Sequence, residues 1–131
     1  MSKKLIAYSG KKFTIEWHFD KHDKSQARDY CQDLDQVGRD KVLHLFRLMG
    51  DMGMIHNIEK FRNEGDQIYV FKPGSDRFLS FFVKGSKIII TNAFAKKTDK
   101  LPLKEKSRAL NCMFDYCERV KGGIYYDQEK K

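Results

Sequence analysis

Five cationic side chains in the second half of the chain have the types and spacing to hold a phosphate. The stretch "AFAKKTDKLP" carries Lys96, Lys97 and Lys100, and "KPGSDRF" puts Lys72 and Arg77 on either side of a tight turn. A guanidinium donates in a planar fork that matches phosphate oxygens, and an ammonium adds a compact point charge. Neighbouring strand ends lie close together in a meander, so Lys72, Arg77 and the Lys96–Lys97 pair can converge. If strand geometry continues through Lys96 and Lys97, they point to opposite faces, and at most one of them reaches a given phosphate. From Lys84 to Arg108 there are eight basic residues, opposed only by Asp99 and Glu105, whereas Asp20 to Asp40 holds six Asp against four Lys or Arg. Positive charge segregated in this way points to a polyanion more strongly than net charge does. A solvated rim accounts equally well for Lys84, Lys87, Lys104 and Lys106.

Other chemistries find little support. The chain has no glycine-rich phosphate loop, no GxSxG and no HExxH. No acidic cluster suits a two-metal nuclease. Cys31, Cys112 and Cys117 form no CxxC pair and no disulfide framework, and read as reduced thiols at apolar helical positions. No zinc site follows from their spacing with the four histidines, so neither metal nor cofactor is expected. RNA needs none to be cut. Its 2′-OH supplies the nucleophile, and a protein has only to orient it, move protons and neutralise charge at the phosphorus. His18 falls on the polar side of an alternating strand and His56 in a loop, and both read as ordinary solvated residues.

The elements that must position these groups follow from periodicity. A chain of 131 residues, 40% of them apolar, suits one domain over 1–131. The formal net charge of +8 favours an anionic partner. No apolar run is long enough to span a membrane, and "LIA" near the start is too short for a signal-peptide core, which together imply a cytoplasmic protein. "KFTIEWHF" alternates as a half-buried strand. Asp23 or Ser25 can cap a helix whose Ala27, Tyr30, Cys31 and Leu34 share one face, and Gly38 ends that run. A second helix is expected over Arg39–Met52, with Val42, Leu45, Phe46 and Met49 inward. "QIYVFKPGSDRFLSFFVKGSKIIITNAF" reads as three strands with turns at "PGSD" and "KGS". The continuous apolar runs in the last two imply central strands covered on both faces. A last helix runs from about Leu103 to Lys121, after Pro102, with Leu110, Met113, Phe114 and Cys117 as its buried stripe. The residues from about 122 onward are expected to be a flexible tail. The order β-α-α-β-β-β-α gives an α+β fold: a small twisted antiparallel sheet with its helices on one face and the other face open to a ligand.

"KPGSDRFLSFF" followed by "KGSKIIITNAFAKKTDKLPLKEKSRAL" resembles the RelE/ParE superfamily of bacterial toxins, and within it the HigB-like, phage-associated branch. The likeness is carried by Arg77 at a strand start, the Phe94-x-Lys96-Lys97-Thr98 run, Lys100, Pro102, Glu105 and Ala109, and it spans roughly Ile58 to Arg119. It implies a RelE-like fold and the toxin of a type II toxin–antitoxin system. It further implies a ribosome-dependent, metal-independent mRNA endonuclease that arrests translation, with ribosome and mRNA as targets and a cognate antitoxin as neutralising partner. On that reading Arg77, Lys97 and Lys72 are catalytic, and Lys96, Lys100, Lys60 and Arg62 bind RNA. Two alternatives stay open within the same fold: a ParE-like poison of DNA gyrase, and a non-catalytic nucleic-acid-binding relative. The chain departs from the best-known RelE pattern in two places. Ile68 and Val70 stand on the strand where basic residues are expected, and Leu103 and Lys104 stand where a tyrosine is expected on or near the last helix. Tyr125 or Tyr126 is a candidate replacement from the tail. Glu105 is a candidate base, with a first-turn helix charge as its plainer role.

Overall fold

The computed structural model describes residues 4–126. A single six-stranded sheet carries three helices. In chain order these are β1 (Ile6–Ser9), β2 (Thr14–Trp17), α1 (Gln26–Asp33), α2 (Gln36–Met52), β3 (Phe61–Asn63), β4 (Tyr69–Phe71), β5 (Asp76–Val83), β6 (Lys87–Ala95) and α3 (Leu103–Lys121). The spatial order is β1-β2-β6-β5-β4-β3. All neighbours are antiparallel except β2 and β6, which run parallel with Thr14 opposite Lys87 and Trp17 opposite Ile90.

The α+β class stands, with two revisions. The parallel pair makes the sheet mixed, and the short strands β1 and β3 extend it at both edges. The helices also do not share a face. Helices α1 and α2 cover one side, where Trp17, Val42, Phe46, Phe71, Phe78, Ile88 and Ile90 pack together. Helix α3 covers the other, where Ile68, Val70, Leu79, Phe81, Ile89, Ala109 and Tyr116 pack. The physical reason lies in β5 and β6. Phe78 and Leu79, like Ile88 and Ile89, are successive residues pointing to opposite faces, and all four are fully buried. Two apolar faces need two covers.

Local chemistry sets the element ends. The Ser25 hydroxyl accepts from the Arg28 amide and starts α1. The Asp35 carboxylate accepts from the Gly38 amide at 2.8 Å and starts α2 three residues before the expected Arg39, so Gly38 lies in its first turn and not at a break. Gly53, at φ +85°, ends α2 in the left-handed region that glycine reaches without strain. Gly10 meets α2 so closely that a Cβ there would lie 2.3 Å from backbone atoms of Gly50.

The inward face of α3 is displaced from the expected stripe. Ala109 and Tyr116 are buried with Met113 partly so, whereas Phe114 is 68% exposed and Cys117 is also exposed. Burial pushes the Cys112 thiol up to about 11, which leaves it protonated. The residues after α3 are packed as far as the structure describes them. Tyr125 is buried, and its hydroxyl accepts from the Phe19 amide. Tyr126 donates to Glu16 at 2.7 Å and lies under the Lys87 ammonium. The expectation of a flexible tail otherwise falls on 127–131, outside the described residues.

His18 and Glu16 revise the reading of β2. Both are buried on the side that alternation marks as polar, because α3 and its following turn cover that side. The His18 ring lies 2.9 Å from the Asp115 carboxylate and stacks on Tyr125. Asp115 also holds Arg119, whose guanidinium donates to the Phe19 carbonyl and sits over the Tyr125 ring. Burial lowers the His18 pKa and outweighs the opposing pull of Asp115, so the ring is neutral and donates from Nε2. Burial alone would raise Asp115, yet hydrogen bonds from Arg119 and His18 hold it below the usual carboxylate range.

Candidate nucleic-acid interface

Four strand ends meet at one end of the sheet. Arg77, the second residue of β5, pairs with Phe94 near the end of β6. Lys72 follows β4, and its amide donates to the Lys60 carbonyl just before β3. The Lys96 amide donates to the Ser75 carbonyl and pins the segment after β6 to the β4–β5 turn. A bulge helps to aim that segment. Phe78 faces Ala93, but Ser80 faces Ile90, so Thr91 and Asn92 share the space opposite Leu79. The buried Asn92 side chain then donates to both the backbone oxygen and the carboxylate of Glu105 in the first turn of α3. Residues 96–101 are thereby clamped at both ends across the start of β5.

The result is two adjoining depressions. The wider, of about 510 Å³, is lined by Lys60, Arg62, Lys72, Arg77, Lys96 and Asp99, with Ile58, Glu59 and Gly74. The narrower, of about 10 Å³, has room for roughly one water molecule. Lys72, Arg77 and Asp99 also line it, with Glu64, Thr98 and Lys100 around an apolar floor of Val70, Phe94 and Leu101. Lys72 and Arg77 thus form the ridge between the two. Six of the seven cations expected from the sequence come together here: Lys60, Arg62, Lys72, Arg77, Lys96 and Lys100. Lys97 does not. It is exposed and borders neither depression; β6 ends at Ala95, so the bend that follows, and not strand alternation, turns it away.

The two ridge cations are held by neutral groups. The Lys72 ammonium donates to the Ile58 carbonyl at 3.2 Å. The Arg77 guanidinium donates to the carbonyls of Gly74 and Asp76, both at 2.9 Å. Among the described residues neither has a carboxylate within ion-pair distance, although Asp76 and Glu64 are close in sequence or space. Burial lowers the Lys72 pKa, and the charges of Arg62 and Arg77 lower it further. Burial also lowers that of Arg77, with Asp99 and Asp76 opposing. Crowded cations bonded only to carbonyls retain donors and charge for an anion. Asp99 stands at the mouth. Lys96 bonds it at 2.8 Å and, with Arg77 and Lys72, holds its carboxyl below the usual range.

The remaining candidates lie elsewhere. Glu105 is tied to Asn92 and Arg108 and lines neither depression. His56 borders an apolar groove beside α2. Lys87 pairs with Glu16, and Lys106 with Asp66, so both are structural. Tyr126 packs on Lys87 at the start of β6, whereas Arg77 faces Phe94 seven residues along, a separation of about 20 Å. Neither tail tyrosine reaches the ridge. Ile68 and Val70 are fully buried under α3, which explains why that strand carries no basic side chain there. Glu64 and Asp99 were the residues of the site that the sequence did not single out. The signal for Asp99 was its spacing of three from Lys96.

The family of phage-derived Gp49-like proteins (DUF891) matches residues 18–113, from the end of β2 well into α3. The chain belongs to this family, which lies within the RelE/ParE-like toxin superfamily of toxin–antitoxin systems. The family is associated with toxin endoribonucleases and implies an antitoxin partner. No curated protein matches the chain. Among the described residues no helix is long and apolar enough to cross a membrane.

Proposed function

We propose that the protein is a HigB-like toxin that cleaves mRNA on the ribosome without a metal and so arrests translation, with the paired depressions as its active site. The observation that carries this reading is the Lys72–Arg77 ridge, two adjacent cations bonded only to carbonyls and flanked by four more. A scissile phosphate on the ridge would have its oxygens against Arg77 and Lys72, with Lys60, Arg62 and Lys96 along the wider depression for the neighbouring backbone. The ribose 2′-oxygen attacks phosphorus, the bond from phosphorus to the 5′-oxygen breaks, and a 2′,3′-cyclic phosphate and a 5′-hydroxyl result. Glu64, in the narrow depression, takes the 2′-hydroxyl proton, and solvent returns one to the leaving oxygen. Charge stabilisation by one well-placed donor is worth about 3–4 kcal/mol, roughly a hundred- to a thousandfold in rate, and the ridge offers two such donors. Lys97, off the ridge, is left to contact rRNA or more distant mRNA phosphates.

Purified protein added to programmed ribosomes should cut mRNA within the A-site codon and leave a 2′,3′-cyclic or 3′-phosphate end. Intact mRNA under conditions in which a known relative cuts would refute the proposal. Stabilised plasmid cleavage by gyrase, with translation unaffected, would place the chain among the gyrase poisons instead.

A further inference from the structure

A carboxylate at the mouth of a phosphate site needs a reason, because it opposes the ligand. Asp99 lines both depressions, and its side chain is 96% exposed to whatever enters. It is bonded to Lys96 at 2.8 Å and faces the two ridge cations. Counted over both depressions, six cations meet three carboxylates: Glu59, Glu64 and Asp99. The local excess of +3 is therefore moderate, and Asp99 is the acid that stands beside the ridge on both sides.

We infer that Asp99 is a charge selector, which reduces the advantage that a terminal phosphate, carrying two negative charges, would otherwise have on this cationic ridge over an internal phosphodiester, carrying one. The inference rests on the proposed phosphate site. Its physical basis is that a fixed negative charge repels a dianion twice as strongly as a monoanion at the same place. With charges about 5 Å apart in a water-like dielectric, the repulsion weakens binding about fourfold for a diester and about sixteenfold for a terminal phosphate. Asp99 thereby shifts the ratio of the two affinities about fourfold toward linkages inside a strand, against the stronger pull of the six cations on a dianion. That shift suits an enzyme that must ignore chain ends and free nucleotides. Lys96 takes part as well, because its ammonium is held by Asp99 and does not add freely to the ridge.

The test uses the full chain and two small ligands that it cannot cleave. One is a 2′-deoxy dinucleoside monophosphate with a single diester, and the other is uridine 5′-monophosphate at pH 8. Affinities are read from NMR titration at low salt. Asp99→Asn should tighten both ligands, the monophosphate about four times more than the diester, and the gap should close as salt is raised past the Debye regime. An unchanged ratio of the two affinities in Asp99→Asn, with both still lost in Lys72→Ala and Arg77→Ala, would overturn the selector role and leave the phosphate site standing. Affinities that ignore Lys72→Ala and Arg77→Ala, or no binding of either ligand to wild type and Asp99→Asn, would overturn both.

Discussion

Replacing Asp115 by alanine should loosen the C-terminal end of α3 and leave the ridge cations in place. Asp115 is the hub of a network that joins α3 to β2. It lies 2.9 Å from His18 and 2.7 Å from Arg119, whose side chains are only 6% and 11% exposed. Arg119 in turn holds the Phe19 carbonyl and the Tyr125 ring. Removing the carboxylate leaves a nearly buried guanidinium without its counter-charge and a buried imidazole N–H without its acceptor. Breaking a fully buried pair costs about 3–5 kcal/mol. Asp115 itself is 35% exposed, so water partly substitutes for it, and about 2–3 kcal/mol is the expected loss. For a domain of this size that lowers Tm by about 6–15 °C. Differential scanning calorimetry of Asp115→Ala, with Asp115→Asn to restore part of the hydrogen bonding, checks the figure. A Tm within 2 °C of wild type for Asp115→Ala would refute the claim that this network fastens α3.

His18 supplies a pH dependence. Its folded pKa lies below the unfolded value of about 6.5, so the unfolded state binds more protons and stability falls as pH drops below about 6.5. His18→Gln should flatten that part of a chemical-denaturation profile, and an unchanged slope would assign it to other groups. Gly10→Ala should cost about 1–3 kcal/mol by forcing the β1–β2 hairpin off the end of α2, read as a lower denaturation midpoint. Arg77→Ala should relieve toxicity in cells and reduce mRNA cleavage by about a hundredfold or more with little change in Tm. Lys97→Ala should reduce cleavage far less than Arg77→Ala, and equal losses would mean that Lys97 swings onto the ridge when RNA binds.

Periodicity located the long elements and missed the short ones. Helix α3 was legible to the residue, since Pro102 and Gly122 bracket a strong apolar repeat. Strands β1 and β3, of four and three residues, carry too little pattern to separate them from loop. The single-face arrangement was the larger error, although the runs "FLSFFV" and "KIIIT" already required cover on both sides. Phe114 drew the predicted stripe of α3 toward itself, but Tyr116 fills the gap over Phe81 and Tyr125, and Phe114 is left outside. His18 read as solvated because alternation marks a polar face without saying what covers it. The cations of the site were legible because segregated charge survives in one dimension. Glu64 and Asp99 were not singled out, since an acid inside a basic run reads as dilution of charge until the fold shows where it points.

The central claim is that Lys72 and Arg77 act on one phosphate, and a double-mutant cycle on them tests it most directly. Cleavage of mRNA on programmed ribosomes should be measured for wild type, Lys72→Ala, Arg77→Ala and the double variant. Side chains that share a ligand couple by about 0.5–3 kcal/mol, so the double variant should lose clearly less than the product of the two single losses. Strictly multiplicative losses, or single losses below about twofold, would contradict the ridge as the seat of the chemistry.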